Sequence, residues 1–315
     1  MVKSGDLLDE PETIASKRTV VDITRMTVHN GPGIRTLILF KGCPLRCTWC
    51  STPESQRESP EIGFYPDRCI RCDECLAVCP RNAITVREKT VAVDRELCDN
   101  CGRCTSVCYA EALKLFGKEY TVEKLVSEIL SDEVVYRHSG GGVTLSGGEP
   151  FFRPEFLLTL LKELKQSGIS CGIDTCGFTD RQHIEAVLPY VDFFLWDIKH
   201  MDRDKHTEYT GVSNELILDN LRFVSEENIP LYLRLPLIPG YNDSEDNLLD
   251  LCNFAKTLSS LEEIHLLPLH HLGRIRYAAL GREYPIEGIP LIKEEKLDEM
   301  KRLVESTGLK CNIIG

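Results

Sequence analysis

The sequence predicts an α/β chain: a parallel barrel, or part of one, made of six β/α units and interrupted after its first strand by a cysteine-rich, ferredoxin-like insert. Three observations point there. The β-branched, apolar run at 35–40 has strand character. From Tyr120 onward, short apolar runs alternate with stretches of helical periodicity. Between these two regions the spacing C-x2-C-x2-C-x3-C occurs twice, 29 residues apart.

Taken in order, residues 1–19 are polar and of mixed charge, with no apolar stretch of the signal-peptide kind, and are expected to be a flexible segment. Residues 20–61 and 119–315 form the predicted core, and 62–118 the insert, in halves of about 62–89 and 90–118. After the insert, Val122, Leu125, Val126, Ile129 and Leu130 recur at i, i+3, i+4, i+7 and i+8, one apolar face of a helix. Further helices are predicted at 154–167, stopped by Gly168, and at 181–188, 214–227, 244–258 and 293–306. Buried parallel strands are predicted at 142–145, 170–174, 191–198, 231–235 and 264–267.

Composition narrows the function classes. A hydrophobic fraction of 42% and a charged fraction of 27% are those of an ordinary globular protein. No run approaches the roughly 18 apolar residues a membrane span needs. The net charge of −12 leaves no basic footprint for nucleic acid and counts against an RNA substrate. The expectation is a cytoplasmic monomer with neither membrane nor nucleic acid as partner. Fifteen cysteines is an odd number, and eleven of them fall into three tight clusters, which favours metal ligation over disulfides. Cys171, Cys176, Cys252 and Cys311 are scattered among apolar residues and read as small hydrophobes.

Cys43, Cys47 and Cys50 form a C-x3-C-x2-C triplet directly after the first strand. Three local thiolates on a four-iron cubane leave one iron open, and an open metal position is where chemistry happens. The triplet alone leaves open a zinc knuckle borrowing a further ligand such as His29, or a cluster completed by a distant cysteine. The two longer runs are more specific. Eight cysteines at ferredoxin spacing predict two 4Fe-4S clusters, the fourth cysteine of each run crossing to the other cluster. That assigns Cys69, Cys72, Cys75 and Cys108 to one, and Cys98, Cys101, Cys104 and Cys79 to the other. With every position filled, these clusters are expected to relay electrons. The second run has Tyr109 where proline is usual.

Polar residues gather at the predicted strand ends. The triplet follows strand one, Ser146-Gly147-Gly148-Glu149-Pro150 follows strand two, and Asp174-Thr175-Cys176-Gly177 closes strand three. Asp197-Ile198-Lys199 closes strand four, Arg234 lies near the end of strand five, and His270-His271 follow strand six. In parallel barrels that face carries the active site. Each signal has a plain structural reading as well: Gly147-Gly148 as a turn needing positive φ, Asp197 with Lys199 as an ion pair, Asp174 as a turn cap, and either histidine as a hydrogen-bonding residue.

Together, the triplet after strand one, the Gly-Gly-Glu-Pro after strand two and the six-unit frame resemble the radical S-adenosylmethionine enzymes, over nearly all of the chain from about Val20. The run His29-Asn30-Gly31-Pro32-Gly33-Ile34-Arg35-Thr36, Trp49-Cys50-Ser51, Asp197-Ile198-Lys199 and Leu267-Pro268-Leu269-His270-His271-Leu272-Gly273 narrow the resemblance to the activating enzymes of glycyl radical enzymes. The double insert is similar to that of the decarboxylase, dehydratase and lyase activases. The resemblance implies that Cys43, Cys47 and Cys50 hold a 4Fe-4S cluster whose open iron binds S-adenosylmethionine, making three clusters in all. It implies that Gly147, Gly148 and Glu149 hold the methionine amino end, and that Asp197, Ile198, Lys199, Arg234 and His270, with Trp49 to Ser51, contact the rest of the cofactor. Asp174 and Thr175, with Asp197, match a monovalent-cation site of the family. The implied partners are a glycyl radical enzyme as protein substrate and flavodoxin or ferredoxin as electron donor. Two departures stand out: Asn30 where aspartate is usual, and Thr52 where asparagine is usual. The competing classes are radical chemistry on a small molecule or RNA, and a plain electron carrier.

Overall fold

The structure, a computed structural model, describes residues 17–87 and 90–314. Of the expected flexible segment 1–19, residues 1–16 lie outside the described residues, and 17–19 already belong to a strand, β1 (Lys17–Thr27). The chain continues through β2 (Arg35–Phe40), β3 (Glu61–Phe64), α1 (Glu74–Ala77), β4 (Ile84–Arg87), β5 (Thr90–Val93), α2 (Arg103–Ser106), β6 (Leu113–Phe116) and β7 (Lys118–Thr121). The second half runs α3 (Val122–Leu130), α4 (Glu133–Ser139), β8 (Gly142–Gly147), α5 (Pro154–Gln166), β9 (Ser170–Thr175), α6 (Arg181–Val187) and β10 (Phe193–Asp197). It ends with α7 (Arg203–Thr210), α8 (Glu215–Glu226), β11 (Leu231–Leu237), α9 (Glu245–Ala255), β12 (Leu261–Pro268), α10 (Gly273–Ala279), α11 (Glu294–Ser306) and β13 (Cys311–Ile313).

One sheet of nine strands organises the molecule, in the order β13-β12-β11-β10-β9-β8-β2-β1-β7. Seven neighbours, from β13 to β2, pair in parallel, and β1 pairs antiparallel with both β2 and β7. The six predicted parallel strands are all present. The sequence reading missed β13, β1 and β7, and the short helices α4, α7 and α10. It also extended the fourth strand past Asp197, where β10 stops.

Period-two alternation gives the sheet two unlike faces. Ile38, Val143, Leu145, Ile173, Phe194, Trp196, Leu233, Leu235, Ile264 and Leu266 are buried in the main core. On the other face the registers Leu39↔Ser146, Leu195↔Asp174, Asp197↔Arg234 and Pro236↔Leu267 carry the polar residues singled out above. The lower end of that face is closed by the Phe193 ring. A Cβ on either Gly31 or Gly172 would fall 2.2 or 2.1 Å from it, so both positions must be glycine. The buried Arg35 guanidinium sits 4.7 Å from the same ring and donates to Thr144 Oγ1, Pro32 O, Val143 O and Ser170 O.

Between β2 and β7 lie two small antiparallel pairs, β3–β6 and β4–β5, around a separate cluster of Ile62, Phe64, Ile84, Val91 and Leu113 with Cys75 and Cys104. Charged contacts tie this part to the core. Glu61 pairs with buried Lys41 and with Arg282, Glu54 pairs with Arg276, and Arg95 donates to Ala279 O. No helix among the described residues is long and apolar enough to cross a membrane.

Candidate active site

The cysteine loop is fixed from both sides by its own backbone. Gly42 N donates to Ser55 O and Cys43 N to Gln56 O, while Arg46 N and Thr48 N donate to Thr210 O and Tyr209 O of α7. The Gly-Gly turn after β8 is bonded to the same loop, Gly148 N to Phe40 O and Glu149 N to Gly42 O, each at 2.8 Å. Gly147 has φ +111°, and a Cβ there would stand 2.2 Å from Phe40 N; at Gly148 it would stand 2.3 Å from Gly42 O. These glycines are therefore required by the close approach of β8's end to the loop, whatever else they touch.

Cys43, Cys47 and Cys50 line a single cavity of about 500 Å³ with Trp49 and Ser51. Gly147, Gly148, Asp174, Thr175, Asp197, Lys199, Arg234 and His270 line it too, so residues from six strand ends meet there. His29 and Asn30 line it as well. Two predicted residues do not. Ile198 is packed into the main core, and Glu149 is buried at 1% exposure. The Glu149 carboxylate accepts from Thr175 Oγ1 (2.6 Å), Phe151 N (3.1 Å), Cys176 N (2.9 Å) and Cys176 Sγ (3.0 Å). Burial pushes that carboxyl up, against the four bonds that favour its charged form.

Across the sheet face runs a charged belt. Ser146 Oγ donates to Asp174 Oδ2 at 2.8 Å, Arg234 Nη1 stands 2.9 Å from the same oxygen, and Arg234 Nε stands 3.3 Å from Asp197 Oδ1. Lys199 Nζ donates to Asp197 Oδ2 at 2.7 Å. Two carboxylates face two cations, so the belt is neutral as a unit. Burial raises the Asp174 carboxyl in spite of Arg234. Burial acts upward on Asp197 also, but the Lys199 and Arg234 charges outweigh it and hold that carboxyl below its ordinary value. Asp197 Oδ1, Arg234 Nε and Arg234 Nη1 are buried, yet their ion-pair contacts lack the angles of hydrogen bonds. Thr175, counted with these carboxylates in the sequence reading, spends its hydroxyl on Glu149.

Burial also pushes up the thiols of Cys43, Cys47 and Cys50, Cys47 to about 12. Such thiols become thiolates only against a compensating positive charge, as iron provides. Trp49 leans on Tyr209 and Tyr241, ring centroids 5.8 and 5.6 Å away, and its buried indole N–H has no acceptor among the described residues. His271 is committed elsewhere, to Tyr284 OH and Ile289 O, which leaves His270 as the histidine of that pair on the cavity.

In the insert, Cys69, Cys72, Cys75 and Cys108 line one small cavity, and Cys79, Cys98, Cys101 and Cys104 line another. The sequence reading missed Cys176, which lines the main cavity and donates to Glu149. Its signal was its place after Asp174-Thr175 at a strand end. Ile314 also lines the cavity, and nothing in the sequence marked it.

The pattern of the radical SAM superfamily matches residues 96–252, and that of the 4Fe-4S dicluster domain matches residues 68–112. The trans-4-hydroxy-L-proline dehydratase activating enzyme of Clostridioides difficile is 40% identical over 94% of this chain and 99% of its own length. The choline trimethylamine-lyase activating enzyme of Oleidesulfovibrio alaskensis is 39% identical over 96% of this chain and 99% of its own. A radical SAM methyltransferase from Sphaerobacter thermophilus superposes with a TM-score of 0.50 at 16% identity, over 94% of this chain and 76% of that one, a likeness of fold alone.

Proposed function

The chain belongs to the activating enzymes of glycyl radical enzymes, within the radical SAM superfamily, and from that premise we propose which of its residues do the work. It cleaves S-adenosylmethionine reductively and takes a hydrogen atom from a backbone glycine of a partner enzyme. The observation that carries the assignment is the meeting of the cysteine triplet, the Gly-Gly turn and the charged belt on one cavity. The donor set fits a three-cysteine cubane and a zwitterionic cofactor: buried thiols that need a positive charge, an unpaired indole N–H, and poorly satisfied carboxylate and guanidinium atoms beside open volume. Bound there, the cluster and S-adenosylmethionine would supply the one-electron reductive cleavage and the hydrogen-atom abstraction.

Cys43, Cys47 and Cys50 hold the cluster. Main-chain groups of Gly147 and Gly148 meet the methionine amino end, and Glu149 braces them from behind. Lys199, Asp197 and Arg234 orient the charged groups of the cofactor, and His270 and the Trp49–Ser51 segment border its nucleoside part, while Ile198, packed in the core with its N–H on Arg234 O, holds Asp197 and Lys199 in register. These contacts would fix the geometry of the bound cofactor. Asp174 and Asp197 already draw countercharge from Arg234, so a monovalent cation at Asp174, Thr175 and Asp197 would enter by displacing that guanidinium. Residues 62–118 are an inserted ferredoxin-type domain with two further 4Fe-4S clusters on the two small cavities, set into a partial barrel formed by 20–61 and 119–315. Flavodoxin or ferredoxin supplies the electrons, and the enzyme acts in the cytoplasm as a monomer.

Which partner it serves is not written in identity alone, because dehydratase and lyase activases stand at 40% and 39%. The test is anaerobic incubation of the reduced protein with S-adenosylmethionine and a glycyl radical enzyme encoded beside it. Methionine, 5′-deoxyadenosine and a persistent glycyl radical are expected. A partner deuterated at the acceptor glycine Cα should pass deuterium to the 5′-deoxyadenosine. Cleavage without radical or deuterium transfer, alongside modification of a small molecule or tRNA, would refute the assignment.

A further inference from the structure

We propose that the rim of the first insert cavity, marked by Ile70 and Tyr109, is the docking face for a small acidic one-electron carrier protein and the point where electrons enter the chain; this rests on the reading above that the insert holds two 4Fe-4S clusters. The internal duplication supplies its own control. Ile70 follows the first cysteine of run one, where run two has Asp99, and Tyr109 follows the last cysteine of run two, where run one has Pro80. Because Cys108 lines the first cavity and Cys79 the second, Tyr109 belongs to the first rim and Pro80 to the second. The two rims are thus equivalent by descent and different in chemistry.

The first rim carries two open apolar side chains, with Arg71 and Asp73 also lining its cavity. Ile70 is 67% exposed and Tyr109 is 89% exposed, beside the exposed Cys72. The second rim is charged: Asp99 pairs with Arg81 at 3.5 Å and Arg103 lines the cavity, leaving Leu97 as a single exposed apolar side chain nearby. An aromatic and an aliphatic anchor at the centre of a small patch suit the brief encounters of redox partners, which bury less than about 1,200 Å².

Position agrees with chemistry. Ile62 lines the second cavity, and Arg95 donates both to Ile62 O and to Ala279 O of α10, so the second cavity shares a wall with the core. Charge directs the carrier. Residues 62–118 hold nine Lys/Arg and eight Asp/Glu, one net positive charge, so within the total of −12 the rest of the chain carries −13. In net charge the body repels an acidic carrier and the insert does not, whereas a basic one would be drawn to the body and away from the insert. The step itself moves one electron and no atom: the carrier is oxidised by one, the first cluster is reduced by one, and no bond changes.

The test rewrites the first rim as the second, with Ile70→Asp and Tyr109→Pro in the reconstituted protein. Reduced flavodoxin is mixed anaerobically in a stopped-flow instrument, and bleaching of the cluster absorbance is followed. The second-order rate should fall at least tenfold, while bleaching by dithionite and the iron content stay as in wild type. If the proline lowers iron content, Ile70→Ser with Tyr109→Ser replaces it, with the same fall expected. Asp99→Ala on the second rim should leave the flavodoxin rate unchanged. An unchanged rate in the first-rim variants, or a fall seen only with Asp99→Ala, would overturn the proposal. Failure of wild type to cleave S-adenosylmethionine even with dithionite, or iron for one cluster only, would instead sink the functional reading and the docking face with it.

Discussion

Replacing Arg234 by methionine removes the guanidinium that two buried carboxylates share while keeping much of the side-chain volume. The side chains of Arg234, Asp174 and Asp197 are 15%, 11% and 18% exposed, so water screens the pairs little. Breaking a buried pair from one side costs about 3–5 kcal/mol, because a charge is left without compensation. The carboxylate that suffers is Asp174. Asp197 keeps Lys199 at 2.7 Å, whereas Asp174 keeps the Ser146 hydroxyl at 2.8 Å and the longer-range attraction of Lys199. Adding Asp174→Asn should therefore recover much of the loss, and the double variant should be more stable than the sum of the singles by about 2 kcal/mol or more. The sign of the pH dependence follows. Burial already raises Asp174, and without Arg234 its folded-state value rises further above the unfolded one. Such a group costs stability as pH climbs from the unfolded value through the folded one, so the deficit of Arg234→Met should shrink on acidification from pH ~8 to ~5. Urea unfolding under argon, followed by far-UV circular dichroism, gives the four free energies. Additivity within about 0.5 kcal/mol and a deficit independent of pH would refute the shared-guanidinium argument.

Reconstituted protein should carry about 12 irons, falling to about 8 with loss of S-adenosylmethionine cleavage when Cys43, Cys47 and Cys50 are all alanine; full iron in that variant would mean the triplet is no cluster site. His270→Ala should weaken cofactor binding in calorimetry with little loss of stability. His271→Ala should do the reverse, costing about 1–3 kcal/mol through its bonds to Tyr284 and Ile289. Cys72→Ala with Cys101→Ala should retain cofactor binding yet turn over slowly with a protein reductant; wild-type speed would argue against a relay.

The fold was legible where burial left plain signals. Each strand from β2 to β12 that pairs in parallel sends apolar side chains into the main core, and α5, α8 and α11 carry stripes between a clear start and stop. What escaped lay at the edges. The three residues of β13 pair only with β12, and the register shifts of β1 break its alternation. In α7, Arg-Asp-Lys-His-Thr-Glu-Tyr-Thr has no apolar stripe at all, and the helix is held by Asp202 at its start and by backbone bonds to the cysteine loop. Such elements exist because of their neighbours, and a pattern search sees each segment alone.

The site was legible for a different reason, and only up to a point. Most groups that line the cavity from a strand end were visible, Cys176 and Ile314 excepted, since parallel topology delivers those ends to one place. Residues that hold such groups in position look the same in sequence as the groups themselves. Glu149 sits in a run that invites a ligand-binding role, yet four donors saturate its carboxylate, three of them from Thr175 and Cys176, 26 and 27 residues away. Cys176 was read as a small hydrophobe among apolar neighbours, although its thiol completes that set. The difference between touching a cofactor and bracing what touches it is a matter of hydrogen bonds between distant segments. A carboxylate with no lone pair to spare clasps the ends of β8 and β9, and through Glu149 N and Gly42 O it clasps the cysteine loop as well. Geometry at the open face of the triplet is therefore set from the buried side, by residues that a cofactor would never touch.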